Sequence, residues 1–342
     1  MHKTLHLVSI SLAAFVALCL LSGCGGGSAP GGTVRVAYMS NGVDPFWDVA
    51  AAGARAAEKE FGVEVEVVFP SPGTIDVQRQ KVQDLLVRGI DGLAISPIDG
   101  TNMTPFLDEV AGRVKLITHD SDAPSSKRLC FIGVDNYAAG RACGKLLREA
   151  LPNGGQVALF VGRLEQDNAR KRRQGVIDEL LGRPADPTRN DAADASLAGN
   201  GFTIVATRTD DFVATQAKSN AEDILVKYPD LAGMVGLFAY NAPACLEALR
   251  GAGRVGGVKV ASFDEQDATL DAIAAGEVVG TVSQNPYQYG YHSVRILAAL
   301  CRGDSSVLPA GGVLGTDPTV VTQANLAQVR ADLDAAVASG KR

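Results

Sequence analysis

The sequence predicts an α/β fold made of two doubly wound, parallel-sheet lobes. Short apolar runs alternate with helical segments from residue 33 onward, and near-continuous apolar strands are typical of parallel sheets covered on both faces. The alternation occurs twice, with about five strands in each series, on either side of the helix-breaking sequence Pro152-Asn153-Gly154-Gly155. The length of 342 residues also fits two domains.

The elements are predicted in chain order from these patterns. The first series has strands over 34–39, 63–69, 92–95, 114–118 and 130–133, with helices over 47–61, 75–88 and 102–112. A helix over 137–151 precedes the break. The second series has strands over 156–161, 202–208, 233–238, 258–263 and 278–283, with helices over 168–181, 213–227, 241–251 and 266–275. A helix over 286–301, a strand near 319–321 and a helix over 325–338 follow. The polar stretch 182–201 is predicted to be an exposed loop.

The composition excludes some classes of protein. Hydrophobic residues make up 46% of the chain and charged residues 20%, which argues against disorder. The formal net charge is −6 and no basic arm is evident, so a nucleic-acid partner is not expected.

The N-terminus is predicted to be a targeting segment. The apolar run 7–21 is short for a membrane span and typical of a signal peptide. Its end, Leu21-Ser22-Gly23-Cys24, resembles a bacterial lipobox; the alternative is a chance cysteine near a cleavage site. We therefore expect a signal peptide over 1–23, lipidation of Cys24 and a flexible tether over 24–32. The mature protein is then anchored to a membrane of the bacterial envelope, on its periplasmic or extracytoplasmic side.

Cysteine and histidine patterns do not indicate a metal or cofactor. Cys130, Cys143, Cys245 and Cys301 are far apart, without metal-ligand spacing. Disulfides are permitted in the envelope, but buried free thiols are favoured. The sequence Gly251-Ala252-Gly253-Arg254-Val255-Gly256 follows a helix, so it is interpreted as a turn and not as a dinucleotide motif.

The stretch 38–47 is the strongest indication of a binding site. It links a buried strand to a helix, which is where open α/β sheets bind ligands, and it carries Asp44, Phe46 and Trp47. An aromatic face beside a carboxylate suits a polyol, because the ring covers C–H groups and the carboxylate accepts from hydroxyls. The alternative is that both rings only anchor the helix in the core.

Polar residues also follow other predicted strands. They occur at Ser96–Asp99, His119–Asp122, Arg163–Arg170, Tyr240–Asn241, Asp264 and Gln284–Asn285. Each alone is explained as a helix cap or a turn. Six such ends in two series favour a shared polar cleft.

With these motifs the chain resembles a class I periplasmic sugar-binding protein, of the ribose- and galactose-binding type that serves ABC importers. The resemblance covers residues 33–322. It implies that aromatic residues from both lobes enclose a sugar whose hydroxyls are held by polar groups. The implied ligand-binding residues are Asp44, Phe46, Trp47, Asp120, Ser121, Arg170, Phe212, Asn241, Asp264 and Gln284.

The sequence departs from the family pattern mainly in the first lobe. Ser121 replaces the family's arginine, so a pentose ligand is less favoured, and Asp122 either substitutes for that arginine or is a turn residue. Asp44 with Trp47 favours a hexose or another polyol over ribose. Asp135 either contacts the ligand or caps the next helix, and the cap is favoured.

The resemblance also implies a three-stranded hinge between lobes. Crossings are expected near 134–136, 284–285 and 316–318. The N-terminal lobe would comprise 33–134 plus 285–317, and the C-terminal lobe 135–284 plus 318–342.

The expected function is that of a lipid-anchored, monomeric solute-binding protein. It would deliver a monosaccharide or polyol to an ABC-transporter permease, without catalytic residues, metal or cofactor. A sugar-sensing receptor is one alternative. A sugar-responsive repressor is disfavoured by the signal peptide, and an envelope enzyme would use Asp44 and Asp264 as paired carboxylates.

Overall fold

The structure, a computed structural model, describes residues 32–341. The predicted signal peptide, Cys24 and the tether up to residue 31 lie outside the described residues. Within residues 32–341, no helix combines the length and the apolar character needed to cross a membrane.

The first lobe is a parallel sheet of six strands in the described part of the chain. The strands are β1 (Arg35–Met39), β2 (Glu64–Val68), β3 (Gly92–Ile95), β4 (Lys115–His119), β5 (Phe131–Gly133) and β12 (Val313–Gly315). Their order is β12-β5-β4-β3-β1-β2, and every pairing is parallel. All their carboxyl ends therefore lie at one edge of the sheet.

Helices cover both faces of the first sheet. They are α1 (Pro45–Phe61), α2 (Ile75–Val87), α3 (Thr104–Ala111) and α9 (Pro286–Cys301). One apolar cluster joins α1 and α9 to the sheet, and another joins α2 and α3 to it. Near-continuous apolar strands are the consequence of burial on two faces.

The second lobe is a mixed sheet of seven strands in the described residues. Its strands are β6 (Gly155–Val161), β7 (Leu197–Gly199), β8 (Phe202–Thr209), β9 (Leu231–Gly236), β10 (Lys259–Phe263), β11 (Gly280–Ser283) and β13 (Thr319–Val321). Their order is β13-β11-β10-β9-β6-β8-β7. The edge strands β7 and β13 are antiparallel to their neighbours. The helices are α4 (Asn136–Ala150), α5 (Asp167–Leu180), α6 (Ala214–Lys227), α7 (Asn241–Gly251), α8 (Asp267–Ala274) and α10 (Leu326–Lys341).

The chain changes lobes three times in the described residues. It leaves the first sheet after β5, returns between β11 and α9, and leaves again between β12 and β13. The exact lobe limits drawn from the sequence stay a prediction.

Helix α10 contacts both lobes, although the sequence placed it in the second. Near its start, Leu326 lies in the second-lobe core, and Arg330 pairs with Asp271 of α8 at 2.6 Å. Further along, α10 packs on α1, and the Ser339 Oγ lies 2.9 Å from the Tyr287 hydroxyl of α9.

The stretch 182–201 is less irregular than its composition suggests. It contains β7, which extends the sheet as an edge strand. The buried carboxylate of Asp178 accepts from Tyr137 at 2.7 Å and pairs with Arg189 at 2.6 Å. Ion pairs thus hold this segment in place. Its low apolar content is the reason why a loop was predicted.

Candidate functional site

A cavity of about 320 Å³ lies between the two lobes, at the carboxyl ends of their strands. This volume falls within the ~300–1,000 Å³ range of small-molecule sites. Side chains of both lobes line it, chiefly Asn41, Asp44, Phe46, Trp47 and Asp120 from the first, and Arg163, Arg172, Asp211, Phe212, Phe238, Tyr240, Asp264 and Gln284 from the second and its hinge.

The backbone around the cavity is locally strained. Asp120, Asp211, Phe212 and Asp264 line the cavity with φ angles of 56°, 54°, 65° and 67°. Non-glycine residues rarely adopt such left-handed angles, and those that do concentrate at functional sites. Asp120 and Asp264 directly follow β4 and β10, so the turn at each strand end aims a carboxylate into the cleft.

Arg172 of α5 is the centre of a buried polar network. Its Nε donates to Asn136 Oδ1 at 2.8 Å and its Nη1 to the Leu237 carbonyl at 3.1 Å, while Nη2 donates to Gln284 Oε1. The guanidinium also lies 4.9 Å from the ring centroid of Phe263. Its neighbours come from the second lobe and from two crossings between lobes, so Arg172 holds the base of the cleft together.

The close approach of α4 and α5 sets the position of Arg172. A Cβ at Gly140 would lie 2.2 Å from the Arg172 carbonyl, and one at Gly175 would lie 2.2 Å from the Tyr137 carbonyl. Two glycines facing each other thus bring the helix backbones together. This packing places Asn136 within reach of the arginine.

Asp120 receives hydrogen bonds from both lobes. Ser96 Oγ donates to it at 2.9 Å from the first lobe, and Asn168 Nδ2 at 3.3 Å from the second. Arg172 Nη2 lies 3.6 Å from its Oδ1. Burial raises the pKa of Asp120, and the arginine and the two donors act in the opposite direction. The carboxylate is therefore a contact point between the lobes.

Asp264 and Gln284 form a second polar pair near the hinge. Gln284 Nε2 donates to Asp264 Oδ1 at 2.6 Å. Burial raises the pKa of Asp264 to about 8, with Arg172 acting against the shift and Glu265 adding to it. A buried carboxylate whose charge is only partly compensated gains from a ligand that donates hydrogen bonds.

Aromatic side chains line the first-lobe wall. Phe46 and Trp47 follow the helix start, where Asp44 caps α1 by accepting from Phe46 N at 2.9 Å. Their rings meet edge to face at 4.8 Å. Trp47 is mostly buried and belongs to the first-lobe core, whereas Phe46 is half-buried. Both interpretations of these rings hold in part, because Trp47 is a core residue that also lines the cavity.

A second group of aromatic side chains lines the cavity from the other lobe. Phe212 meets Phe238 edge to face at 5.6 Å, and Phe238 is stacked on Tyr240 at 6.5 Å. The Arg163 guanidinium lies 5.2 Å from the Phe212 ring centroid and pairs with Asp211 at 3.0 Å. The cavity is thus lined by both aromatic rings and charged groups, a combination that fits a polyhydroxylated molecule.

Direct contacts join the lobes across the cleft. Gln266 Nε2 donates to Asp44 Oδ2 at 3.3 Å, and Arg163 Nη1 donates to the Gly73 carbonyl at 3.4 Å. Together with the Asn168–Asp120 contact, these bonds describe a closed arrangement of the two lobes.

The structure places most of the sequence-predicted residues in one cavity. Those that line it are Asp44, Phe46, Trp47, Asp120, Phe212, Asp264 and Gln284. Ser121, Arg170 and Asn241 are not among the residues that line it. Six further residues also line it, although the sequence analysis did not select them as ligand-binding: Asn41, Arg163, Arg172, Asp211, Phe238 and Tyr240.

Arg170 lies outside the cavity, and Arg172 occupies the place expected for it. Arg170 Nη1 donates to the carbonyls of Leu164 and Glu165 at 3.0 and 2.7 Å. Residues two apart on an α-helix point to nearly opposite sides. The segment 168–172 therefore presents Arg172, and not Arg170, to the cleft. Only the rotational phase of the helix decides which of the two arginines faces it.

Asn241 and Ser121 are buried beside the cavity. Asn241 Nδ2 donates to Asp210 Oδ2 at 2.8 Å, and its Oδ1 accepts from Phe238 N at 3.0 Å. Tyr240 donates to the same Asp210, whose pKa is raised to about 6 by burial. Asn241 thus positions the strand end that carries Phe238 and Tyr240. Ser121 is fully buried, and its Oγ has no hydrogen-bond partner in the described residues.

His119 supports the first-lobe wall from behind. Its ring is stacked on Tyr38 at 4.3 Å and meets Trp47 at 5.7 Å. Its Nε2 lies 3.1 Å from the Met39 carbonyl, which can only accept, so Nε2 carries the proton. Burial lowers the pKa of His119 to about 3, and the ring is neutral at physiological pH.

We expect His119 to make the fold sensitive to acid. The unfolded chain protonates this histidine near pH 6.5, but the folded chain only near pH 3. Stability is therefore fully present above pH 6.5 and falls by up to about 1.4 kcal/mol per pH unit as the pH drops through that window. Urea unfolding measured from pH 7.5 to 4.5 should show this loss as a falling difference in unfolding free energy between the wild type and His119→Phe. Taking the difference cancels the opposing contributions of buried carboxyl groups, which both proteins share. A difference independent of pH would contradict it.

The described residues contain no group of three or more His, Cys, Asp or Glu side chains placed to hold a metal ion. Cys130, Cys143, Cys245 and Cys301 are all free thiols. Burial raises the pKa of the Cys130 and Cys301 thiols to about 11. These cysteines are buried or half-buried apolar residues in this structure.

Known proteins share this arrangement. A family model described as "Periplasmic binding protein domain" matches residues 36–305. The D-ribose/D-allose-binding protein of Pseudomonas aeruginosa is 25% identical over 296 residues, which cover 83% of this chain and 87% of that protein.

Solved structures agree with the family match. A solute-binding protein of an ABC transporter from Burkholderia graminis, in complex with D-arabinose, is 28% identical with a TM-score of 0.77, and the match covers 86% of this chain and 96% of that chain. A glucose-galactose binding protein from Geobacillus stearothermophilus is 25% identical with a TM-score of 0.77, covering 86% of this chain and 99% of that chain. These proteins are named as binding proteins and not as enzymes.

The fold class predicted from the sequence and the resemblance to class I periplasmic sugar-binding proteins are both confirmed. The family match spans most of the chain and includes strands of both sheets, and the cavity lies where the strands of the two lobes end. The chain therefore belongs to the family of periplasmic binding proteins.

Proposed function

We propose that this protein captures a monosaccharide or related polyol between its lobes and delivers it to an ABC-type importer. The observation that carries the proposal is the composition of the cavity. Aromatic side chains of both lobes line it, together with the buried side chains of Asp120, Arg172, Asp264 and Gln284. The names of the relatives and solved structures support a sugar ligand and a role in ABC transport.

Binding and closure are coupled by the geometry of the site. A ligand held between Phe46 and Phe212 contacts both lobes only in the closed arrangement. It therefore shifts the equilibrium of the hinge toward closure. Charge-assisted hydrogen bonds to Asp264 and Arg172 provide selectivity, because an analogue without the matching hydroxyl leaves a buried polar group unpaired.

A permease would recognise the closed form, since closure brings surfaces of the two lobes into one fixed arrangement. Membrane attachment through Cys24 is part of the same proposal and is supported by the lipobox-like sequence. The ligand-binding residues we propose are Asp44, Phe46, Trp47, Asp120, Arg172, Phe212, Asp264 and Gln284, with Ser121 and Asn241 as buried residues that position them.

The test is ligand binding by a matched pair of variants. We expect Phe212→Ala to weaken sugar binding by about 10- to 100-fold, equivalent to ~1.4–2.8 kcal/mol, because it removes a ring face that covers the ligand. A thermal-shift screen of monosaccharides and polyols identifies the ligand, and calorimetry then measures its affinity for each variant.

Phe61→Ala is the control. Phe61 ends α1, contacts Tyr291 at 5.9 Å and does not line the cavity. It should lower the melting temperature without changing affinity. Equal affinities of the Phe212 variant and the wild type would refute the role of this wall, and a full panel without any binder would refute the proposed function.

A further inference from the structure

The charges that line the cavity do not balance. Two of its four carboxylates are matched by its two guanidiniums. Arg163 pairs with Asp211 at 3.0 Å and Arg172 lies 3.6 Å from Asp120. Within residues 32–341, Asp44 and Asp264 form no ion pair, and Arg172, which also acts on Asp264, is shared with Asp120, so four carboxylates have two guanidiniums between them.

Asp264 presents one free oxygen to the cleft. The residue is 3% exposed. Its Oδ1 accepts from Gln284 at 2.6 Å, whereas no hydrogen bond within the described residues reaches Oδ2. Burial raises the pKa of this carboxyl, and an ammonium beside it would lower that pKa and hold the carboxylate in its charged form.

Asp44 faces the same end of the cavity from the other lobe. Its Oδ2 accepts from Gln266 at 3.3 Å, and Gln266 is only two residues beyond Asp264. Burial also raises the pKa of Asp44. Two carboxylates of opposite lobes thus line one cavity, together with the ring of Phe46.

The surroundings of this end add negative charge. A neighbouring cavity of about 620 Å³ shares Phe46 and Asp264 with the first. Its lining includes Asp48, Glu265, Asp267 and Asp334 but no lysine or arginine. Clefts lined by charge of one sign concentrate ligands of the opposite sign.

We infer that the ligand of this cleft carries a protonated amino group, as an amino sugar or an amino polyol, and that Asp44 and Asp264 bind its ammonium. The inference rests on the proposed function and narrows its ligand class. An ammonium has three donors and no acceptor, and it neutralises charge that a hydroxyl leaves uncompensated. The Phe46 ring, which lines the same cavity, is available for a cation–π contact.

The experiment compares sugars that differ only at one group. Calorimetry at pH 6.5 and low salt measures D-galactosamine against D-galactose, D-glucosamine against D-glucose, and 1-amino-1-deoxy-D-sorbitol against D-sorbitol. The amino member of the preferred pair is expected to bind at least ten times more tightly. Its N-acetylated form, which has lost the charge, is expected to lose that advantage.

Variants assign the effect to the two carboxylates. Asp44→Asn and Asp264→Asn each keep the shape of the side chain and remove its charge. Both should reduce the ratio of affinities within a pair. Asp304→Asn is the control, because that exposed carboxylate accepts from Ser306 and does not line the cavity, and it should leave the ratio unchanged.

The outcomes separate this inference from the proposed function. If the neutral member of each pair binds as tightly as the amino member or more tightly, the inference is wrong and sugar binding stands. If neither member of any pair binds, the inference falls, and the proposed function falls with it only if the full panel of monosaccharides and polyols also contains no binder. An amino preference that survives both asparagine substitutions would overturn the assignment to Asp44 and Asp264.

Discussion

Replacing Arg172 with methionine is expected to abolish ligand binding and to destabilise the protein by about 3–5 kcal/mol. The loss follows from burial, because removing one member of a buried charge network leaves its partners uncompensated. Arg172 is fully buried, and its removal would strip a donor from Asn136, Gln284 and the Leu237 carbonyl. Urea unfolding and calorimetry measure the two effects.

Arg170→Met is the matched control, two residues away on the same helix. Arg170 is partly exposed and pairs with Asp167 at 3.6 Å, and such surface pairs are worth about 0.3–0.5 kcal/mol. Its removal should leave binding and stability nearly unchanged. Arg172→Lys retains the charge without the planar fork and should recover stability more than binding. Loss of binding by the Arg170 variant and not by the Arg172 variants would restore the role first predicted for Arg170.

Gly290→Ala is expected to be the most disruptive single-carbon change in the first lobe. A Cβ at Gly290 would lie 1.8 Å from the Ala50 carbonyl oxygen, so α1 and α9 would have to separate. Overpacking of this kind costs about 1–3 kcal/mol and occasionally more. Because α1 carries Asp44, Phe46 and Trp47, its displacement should also weaken ligand binding. Thermal unfolding followed by circular dichroism, together with calorimetry, tests both consequences.

Gly251→Ala serves as the comparison. Gly251 ends α7, and an added Cβ there meets nothing within 4 Å. Alanine loses less backbone entropy on folding, so the substitution should be neutral or stabilising by up to about 1 kcal/mol. If the two glycine variants unfolded at the same temperature, the close packing of α1 and α9 would not limit stability.

The sequence predicted the elements whose residues are buried on two faces. β3 matches its predicted bounds, and α9 spans Pro286–Cys301 as expected. Strands β7 and β12 were missed because each is a three-residue edge strand that ends in glycine, unlike the equally short β13, whose residues Thr319–Val321 are all β-branched. Such strands need little apolar pattern, since neighbouring strands supply the hydrogen bonds.

The same distinction applies to the site: residues that directly follow apolar strands were predicted, and residues whose orientation depends on a turn were not. Asp120 and Asp264 could be found from sequence because each directly follows an apolar strand, where a parallel sheet binds ligands. Phe238 and Tyr240 were not selected, although Tyr240 precedes the predicted Asn241. Which of these neighbours faces the cavity depends on the turn after β9, where Asn241 accepts from Phe238 N and donates to Asp210.

The amino-acid sequence by itself determined the class of fold, the doubling of the βα pattern and the residue types at the strand ends. These follow from local periodicity and from hydrophobic burial, which act over a few neighbouring residues. Only the tertiary structure decided that Arg172 faces the cleft while Arg170 faces away, that α10 touches both lobes, and which carboxylates have a cation beside them. Those outcomes depend on helix phase and on distances between residues far apart in the chain, and local sequence patterns do not reveal either of these.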